Sequence, residues 1–216
     1  MSSPLPPALF IAGLPGIDFL NSLAIPVDTA VEWIGDGKDY LDWLRQAGLL
    51  MSNDISTINS SFSAGELDKI ARRARELREW FRDFVKTNKG KPLSPRALTK
   101  LKPLNDLLGL DQIFWSIVPG TAAPGDESTS PGLFRLRPER RWRTPDSLLA
   151  PVATEIARVV CYADFSYIKA CQGKNCVLTF YDETRRRERR WCSMAICGNR
   201  AKQDAYRSRS RPSAEG

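Results

Sequence analysis

Histidine is absent from this chain of 216 residues. Its absence excludes Ser-His-Asp and Cys-His catalysis, HExxH metalloprotease chemistry and every histidine metal ligand. A soft metal, if one is bound, must be held by cysteine. No run of eighteen or more apolar residues occurs, so no transmembrane helix is expected. The first sixteen residues, MSSPLPPALFIAGLPG, lack a basic segment followed by a continuous apolar one, so no secretory signal is expected either. Together these point to a cytoplasmic protein with no membrane partner, in a compartment where thiols stay reduced. No spacing of Asp, Glu, Ser or Lys singles out a catalytic set, and the expectation is that the chain is not an enzyme.

What is present is unevenly distributed. The formal charge is +7. Residues 1–170 hold 21 Lys and Arg against 20 Asp and Glu, whereas residues 171–216 hold 11 against 5. The basicity is therefore a property of the C-terminal end, which also carries four of the five cysteines. A basic, cysteine-rich module on a nearly neutral body points to a polyanion partner.

The body reads as mainly α with a small β element. A short helix is expected from about Gly16. Another spans Asp39–Ala47, and Gly48 is suited to stop it. The clearest helix runs from about Ala64 to Thr87. Leu67, Ile70, Ala74, Leu77, Phe81 and Phe84 form its apolar stripe, and Ser63 with Glu66 makes a capping box at its start. Its arginines, interleaved with Glu76, Glu79 and Asp83, read as a solvated, ion-paired face rather than a recognition surface. Ser94-Pro95 opens a further helix, broken or shortened at Pro103 and ending near Gly109. Residues 112–118 and 133–142 read as two strands of a hairpin around a Pro/Gly/Ser/Thr-rich stretch at 120–132. A last body helix begins at Thr144 or Asp146 and runs to Cys161, which reads as a buried small hydrophobe.

The remaining cysteines form the pattern Cys171-x4-Cys176-x15-Cys192-x4-Cys197. Two equally spaced pairs suit two tight turns that aim four thiolates at one tetrahedral, coordinatively closed metal ion. Structural zinc fits best. An iron–sulfur centre and a redox disulfide pair remain alternatives, although the spacing matches neither the common ferredoxin runs nor CxxC. Between the pairs, Val177–Tyr181 and Arg189–Trp191 read as the two strands of a hairpin. Beyond Cys192 the chain reads as helical to Arg209. A knuckle, a hairpin and a helix that starts near the last ligand pair would make a treble-clef-like finger.

The segment Arg189–Lys202, RRWCSMAICGNRAK, closely resembles the hallmark of the CGNR zinc finger family. Cys171-x4-Cys176 followed by Phe180-Tyr181-Asp182 resembles it as well. The likeness covers residues 165–211, with a basic tail to 216. Val177 departs from it, standing where glycine is expected after the second cysteine. Ile17–Ser22 (IDFLNS) and Tyr40–Leu44 (YLDWL) in turn resemble the ABATE domain, which would span residues 1–164. The resemblance implies a bacterial stress-induced transcription regulator. A helical N-terminal domain would sense a small molecule or protein, or form a homodimer. A finger holding one structural zinc ion through Cys171, Cys176, Cys192 and Cys197 would bind nucleic acid, in particular double-stranded DNA. Asp18 and Asn21, which match the early motif, are candidates for an N-terminal pocket.

Arg185, Arg186, Arg187, Arg189 and Arg190 on the expected hairpin are phosphate candidates, as are Arg200, Lys202, Arg207, Arg209 and Arg211 beyond it. Asn199, Arg200, Gln203 and Arg207 are candidates for base readout. Arg190 and Arg200 flank ligands, so packing on Trp191 competes with that role. Two other readings stand beside DNA binding. One is an RNA-binding or protein-interaction adaptor, with Phe180, Tyr181, Trp191 and Tyr206 stacking on bases. The other is a redox sensor whose thiolates release zinc on oxidation.

Overall fold

A computed structural model of the chain describes residues 5–25, 29–119 and 134–209. The expected linker at 120–132 and the basic tail beyond 209, with Arg211, lie outside the described residues. The class is as expected: among the described residues helices dominate, and the three sheets are two-stranded and antiparallel.

Helix α1 (Pro15–Leu20) is buried along most of its length. It is followed by the short strands β1 (Leu23–Ala24) and β2 (Val31–Glu32), which pair with each other. Helices α2 (Gly37–Gln46), α3 (Ser52–Ser61) and α4 (Ala64–Asn88) come next. Ser63 Oγ accepts from the Glu66 amide, and the Glu66 carboxylate accepts from the Ser63 amide, which closes the expected capping box. A 3-10 turn at Pro95–Lys100 leads into α5 (Lys102–Leu108), where Pro103 sits in the first turn and costs no hydrogen bond. Strands β3 (Ile113–Pro119) and β4 (Phe134–Arg140) form the expected hairpin. Helix α6 (Ala150–Tyr162) completes the body.

One continuous core runs through these elements, with Phe19, Trp43, Leu44, Phe81 and Ile156 among its largest members. Helix α1 crosses α6 so closely that a Cβ on Gly16 would lie 2.6 Å from the Glu155 carbonyl oxygen. Any side chain there would force the two helices apart.

Several α4 arginines hold the body together and are more than a solvated face. Arg78 is buried and makes a two-pronged ion pair with Glu32 at 2.7 and 2.6 Å, with further bonds to Glu79 and Ser22. Arg75 donates to the carbonyls of Ile34 and Gly35, Arg82 donates to Leu20, and Arg73 pairs with Asp146. Helix α4 thereby tethers β2 and the chain on either side of it. Cys161 corrects a second expectation. It is exposed, because it lies two residues past the buried Val159 and so on the opposite side of α6.

Candidate metal centre and nucleic-acid interface

After α6 the chain forms strand β5 (Ile168–Ala170), a knuckle at Cys171–Cys176, and strand β6 (Thr179–Tyr181). These strands pair with each other: Ile168 faces Tyr181, Lys169 faces Phe180 and Ala170 faces Thr179. The hairpin therefore encloses the first cysteine pair and does not lie between the two pairs. This corrects the expected pairing of 177–181 with 189–191, and the reason is visible at the outer edge of β6. The Asn21 side chain donates to the Thr179 carbonyl at 2.8 Å and accepts from its amide at 3.0 Å. The Tyr181 amide donates to Ala12 O at 2.8 Å. Both edges of β6 are already engaged, and the Arg190 carbonyl pairs instead with the knuckle, accepting from the Gln172 amide.

The second cysteine pair straddles the start of a wide helical turn, Met194–Gly198, with Cys192 just before it and Cys197 within it, and the turn leads into α7 (Asn199–Arg209). Ser193 opens the turn, its Oγ accepting from Ala195 N and its carbonyl accepting from the Cys197 and Gly198 amides. The four Sγ atoms lie within 4.8 Å of one another. Cys176 to Cys192 is 3.9 Å and Cys192 to Cys197 is 3.6 Å. A tetrahedron with zinc–sulfur bonds of about 2.3 Å has edges of about 3.8 Å. The spacing is thus that of one zinc ion and four thiolates. Amides of Gly173 and Cys192 point at Cys171 Sγ, at 3.4 and 3.2 Å. A Cβ on Gly173 would meet Cys197 Sγ at 2.7 Å, so only glycine fits inside the knuckle.

Without a cation, Cys176, Cys192 and Cys197 pull one another's ionisation apart. A hydrogen bond from Cys192 pulls the Cys176 thiol down to about 5. That same bond, followed by burial and the Cys176 charge, pushes Cys192 upward. Burial pushes Cys197 up to about 12. Only a metal of high positive charge makes four thiolates stable together.

Residues 182–190 form an irregular loop organised by Asp182, whose role no local sequence pattern announces beyond its place after Phe180-Tyr181. Its fully buried carboxylate accepts from Thr184 N, Thr184 Oγ1, Arg189 N and Lys169 Nζ at 2.6–3.0 Å. Burial alone would raise its pKa. The bonds from Lys169, Thr184 and Arg189 outweigh burial and hold it at about 2.

The loop divides the phosphate candidates. Arg187 lies over the Tyr167 ring at 4.1 Å and donates to Asp182 O. Arg189 lies over Phe180 at 4.2 Å and donates to the carbonyls of Trp191, Cys192 and Ile11. These two arginines build the finger. Arg185 and Arg186 are exposed. Arg190 is exposed too, bonded to Gln172 and placed 5.2 Å from the Trp191 ring, so it also packs on Trp191 as expected. On α7, Asn199, Gln203 and Arg207 recur every four residues, share one face and are exposed, as is Lys202. Arg200 is half-buried, and the Arg209 side chain lies outside the described residues. Of the aromatics, Phe180 is buried, Tyr181 and Trp191 are half-buried, and Tyr206 is exposed.

Residues 13–163 match the ABATE family, described as "Putative stress-induced transcription regulator", and residues 167–210 match the CGNR zinc finger. The chain belongs to the ABATE family. Its C-terminal part is a CGNR zinc finger with one zinc site. A search of curated proteins finds no match. Among the described residues of this ABATE protein, no helix is long and apolar enough to cross a membrane.

The ABATE motif residues Asp18 and Asn21 sit at the seam between body and finger. Both are buried, and their polar atoms are engaged by backbone: Asn21 by Thr179, and Asp18 by the amides of Ile11 and Ala12 at 2.9 and 2.8 Å. Burial lifts Asp18 from 3.8 to about 6, offset only in part by those two amides and by the Arg189 charge. Between these two values the folded chain keeps a proton that the unfolded chain releases. The stability this group contributes is full below about pH 4 and is lost as pH rises through 6. Asp18→Asn keeps an acceptor for both amides and carries no charge. It is expected to gain about 1–3 kcal/mol over wild type at pH 7.5 and to lose that advantage near pH 4.5. Urea unfolding of both proteins at the two pH values measures this difference, from which zinc-linked changes cancel. A pH-independent difference would contradict it.

Proposed function

We propose that this ABATE protein is a non-catalytic transcription regulator that binds double-stranded DNA through its CGNR finger. The zinc site and the Asp182-centred loop hold the basic surface in shape. Arg185, Arg186, Arg190, Lys202 and Arg207 meet phosphates, and the exposed face of Asn199, Gln203 and Arg207 meets base edges. The ABATE body receives an effector or a second copy and passes its state to the finger through the seam at Asn21 and Asp18.

The observation that carries this reading is the division of labour among the arginines. Two are consumed in building the finger, while their neighbours in the same loop stand in solvent. A loop that needed arginine only for its own architecture has no use for Arg185 and Arg186. The buried or half-buried state of Phe180, Tyr181 and Trp191 favours duplex DNA over unpaired RNA, which would need those rings for stacking.

The test is retention of duplex DNA, structured RNA and single-stranded RNA by the zinc-loaded protein at matched salt. Duplex DNA should bind tightest. With five phosphates neutralised, log affinity should fall with log salt at a slope of roughly −4.5. A flat salt dependence, or preference for single strands, contradicts the reading.

A further inference from the structure

The β3–β4 hairpin presents an apolar surface that neither the zinc site nor the basic loop uses. Residues paired across the two strands share a face. Trp115 faces Pro138, Ile117 faces Leu136 and Pro119 faces Phe134, so beyond the root pair Ile113–Arg140 one face of the two described strands is apolar. That face is bare. Ile113 is 50% exposed, Trp115 62%, Ile117 75%, Phe134 69% and Leu136 62%. At the usual full area of about 200 Å² for large side chains, these five expose roughly 600 Å² of contiguous apolar surface. This is at the upper end of the largest patch on an ordinary monomer, about 300–600 Å². A two-stranded hairpin is also marginal alone and ordinarily has one face covered.

Among the described residues, the hairpin's polar ties to the body lie near its root. Arg140 pairs with Asp111 at 2.9 and 3.2 Å, and Trp142, just past β4, donates to Asp54 at 3.1 Å. The two strands otherwise pair mainly with each other, so the hairpin projects as an arm.

We infer that this arm is a dimerisation device whose apolar face packs on the same face of a second copy. Two observations select that occupant. The first is charge. Among the described residues, the one ionised residue in register on the apolar face is Arg140, and Asp111 neutralises it. Arg135 and Arg137 alternate onto the opposite face. A nucleic acid or an anionic lipid surface would meet no free cation there, whereas a second copy meets an uncharged surface like its own. Two-fold packing is self-complementary in this sense. The second is area. Roughly 600 Å² from each copy buries about 1,200 Å² in total, the lower bound of stable interfaces. Trp115 and Phe134 supply the aromatic anchors on which such interfaces depend. The proposal deepens the reading above, since a dimer carries two fingers to one duplex, yet it rests on its own surface.

The test is the mass of the full-length, zinc-loaded protein by sedimentation at tens of micromolar. The expected result is a two-chain particle for wild type and a single chain for Ile117→Asp/Leu136→Asp. Both positions are exposed, so the variant should keep its zinc and its thermal unfolding midpoint. Trp115→Lys supplies an independent second variant with the same expected outcome. A wild type that stays monomeric, alone or bound to anionic vesicles, overturns the proposal. So does a dimer that survives both variants. A monomer that binds duplex DNA overturns the arm and leaves the finger reading standing. A dimer that fails to bind DNA does the reverse.

Discussion

Cys192→Ser is expected to remove the zinc and melt the finger while the ABATE body stays folded. Cys192 is buried, and its sulfur is the one that approaches both Cys176 and Cys197. Serine supplies a poor zinc ligand, and the remaining three thiols cannot close the tetrahedron. Metal binding in small zinc modules is worth about 10–16 kcal/mol, more than this finger's short strands and single turn of hairpin can replace. The core runs on into the finger, but Phe19, Trp43 and Phe81, among its largest side chains, belong to α1, α2 and α4. Elemental analysis should fall from one zinc per chain to none. Amide exchange should become fast across residues 168–198 and remain slow in α4. Retained zinc, or a finger still protected without it, would show that the site is not the organising element.

Asn21→Leu should have the second largest effect. Its amide completes the outer edge of β6, and leucine would leave the Thr179 N–H and C=O buried without partners. Each orphaned group costs about 1–3 kcal/mol, so a loss of about 2–6 kcal/mol is expected for the two. The loss should be local in character. Zinc should still bind, because no ligand is touched, but the finger should come loose from α1, with faster exchange at Thr179 and Tyr181. Denaturant unfolding together with exchange at those two amides measures both parts. A variant as stable as wild type would mean that the seam holds without this clasp, and the proposed route from body to finger would lose its support.

The same residues show what the sequence made legible and what it hid. Helix α4 was readable because its stripe and its Ser63–Glu66 box are local patterns within one element. The zinc ligands were readable because a metal imposes spacing on chain segments that are themselves short. Helix α3 gave no such signal. Its sequence, SNDISTINSS, is polar and rich in residues that compete for backbone bonds, and Ile58 is the side chain it buries fully. The pairing of β6 was misread because its partners are distant: Asn21 lies 158 positions before Thr179. Burial of Arg78 likewise depends on Glu32, 46 positions away. Within the arginine run, composition could not separate Arg187 and Arg189, which stack on Tyr167 and Phe180, from Arg185 and Arg186, which do not. That separation required the turn Asp182 imposes.

This separation offers the most direct test of the account, in which zinc and a loop built on the buried Asp182 hold exposed arginines against DNA. The measurement is duplex affinity as a function of salt for wild type and Arg185→Ala/Arg186→Ala. The account predicts unchanged zinc content, an unchanged unfolding midpoint, weaker binding to every duplex, and a salt slope shallower by about 2. Affinity and slope equal to those of wild type would contradict it.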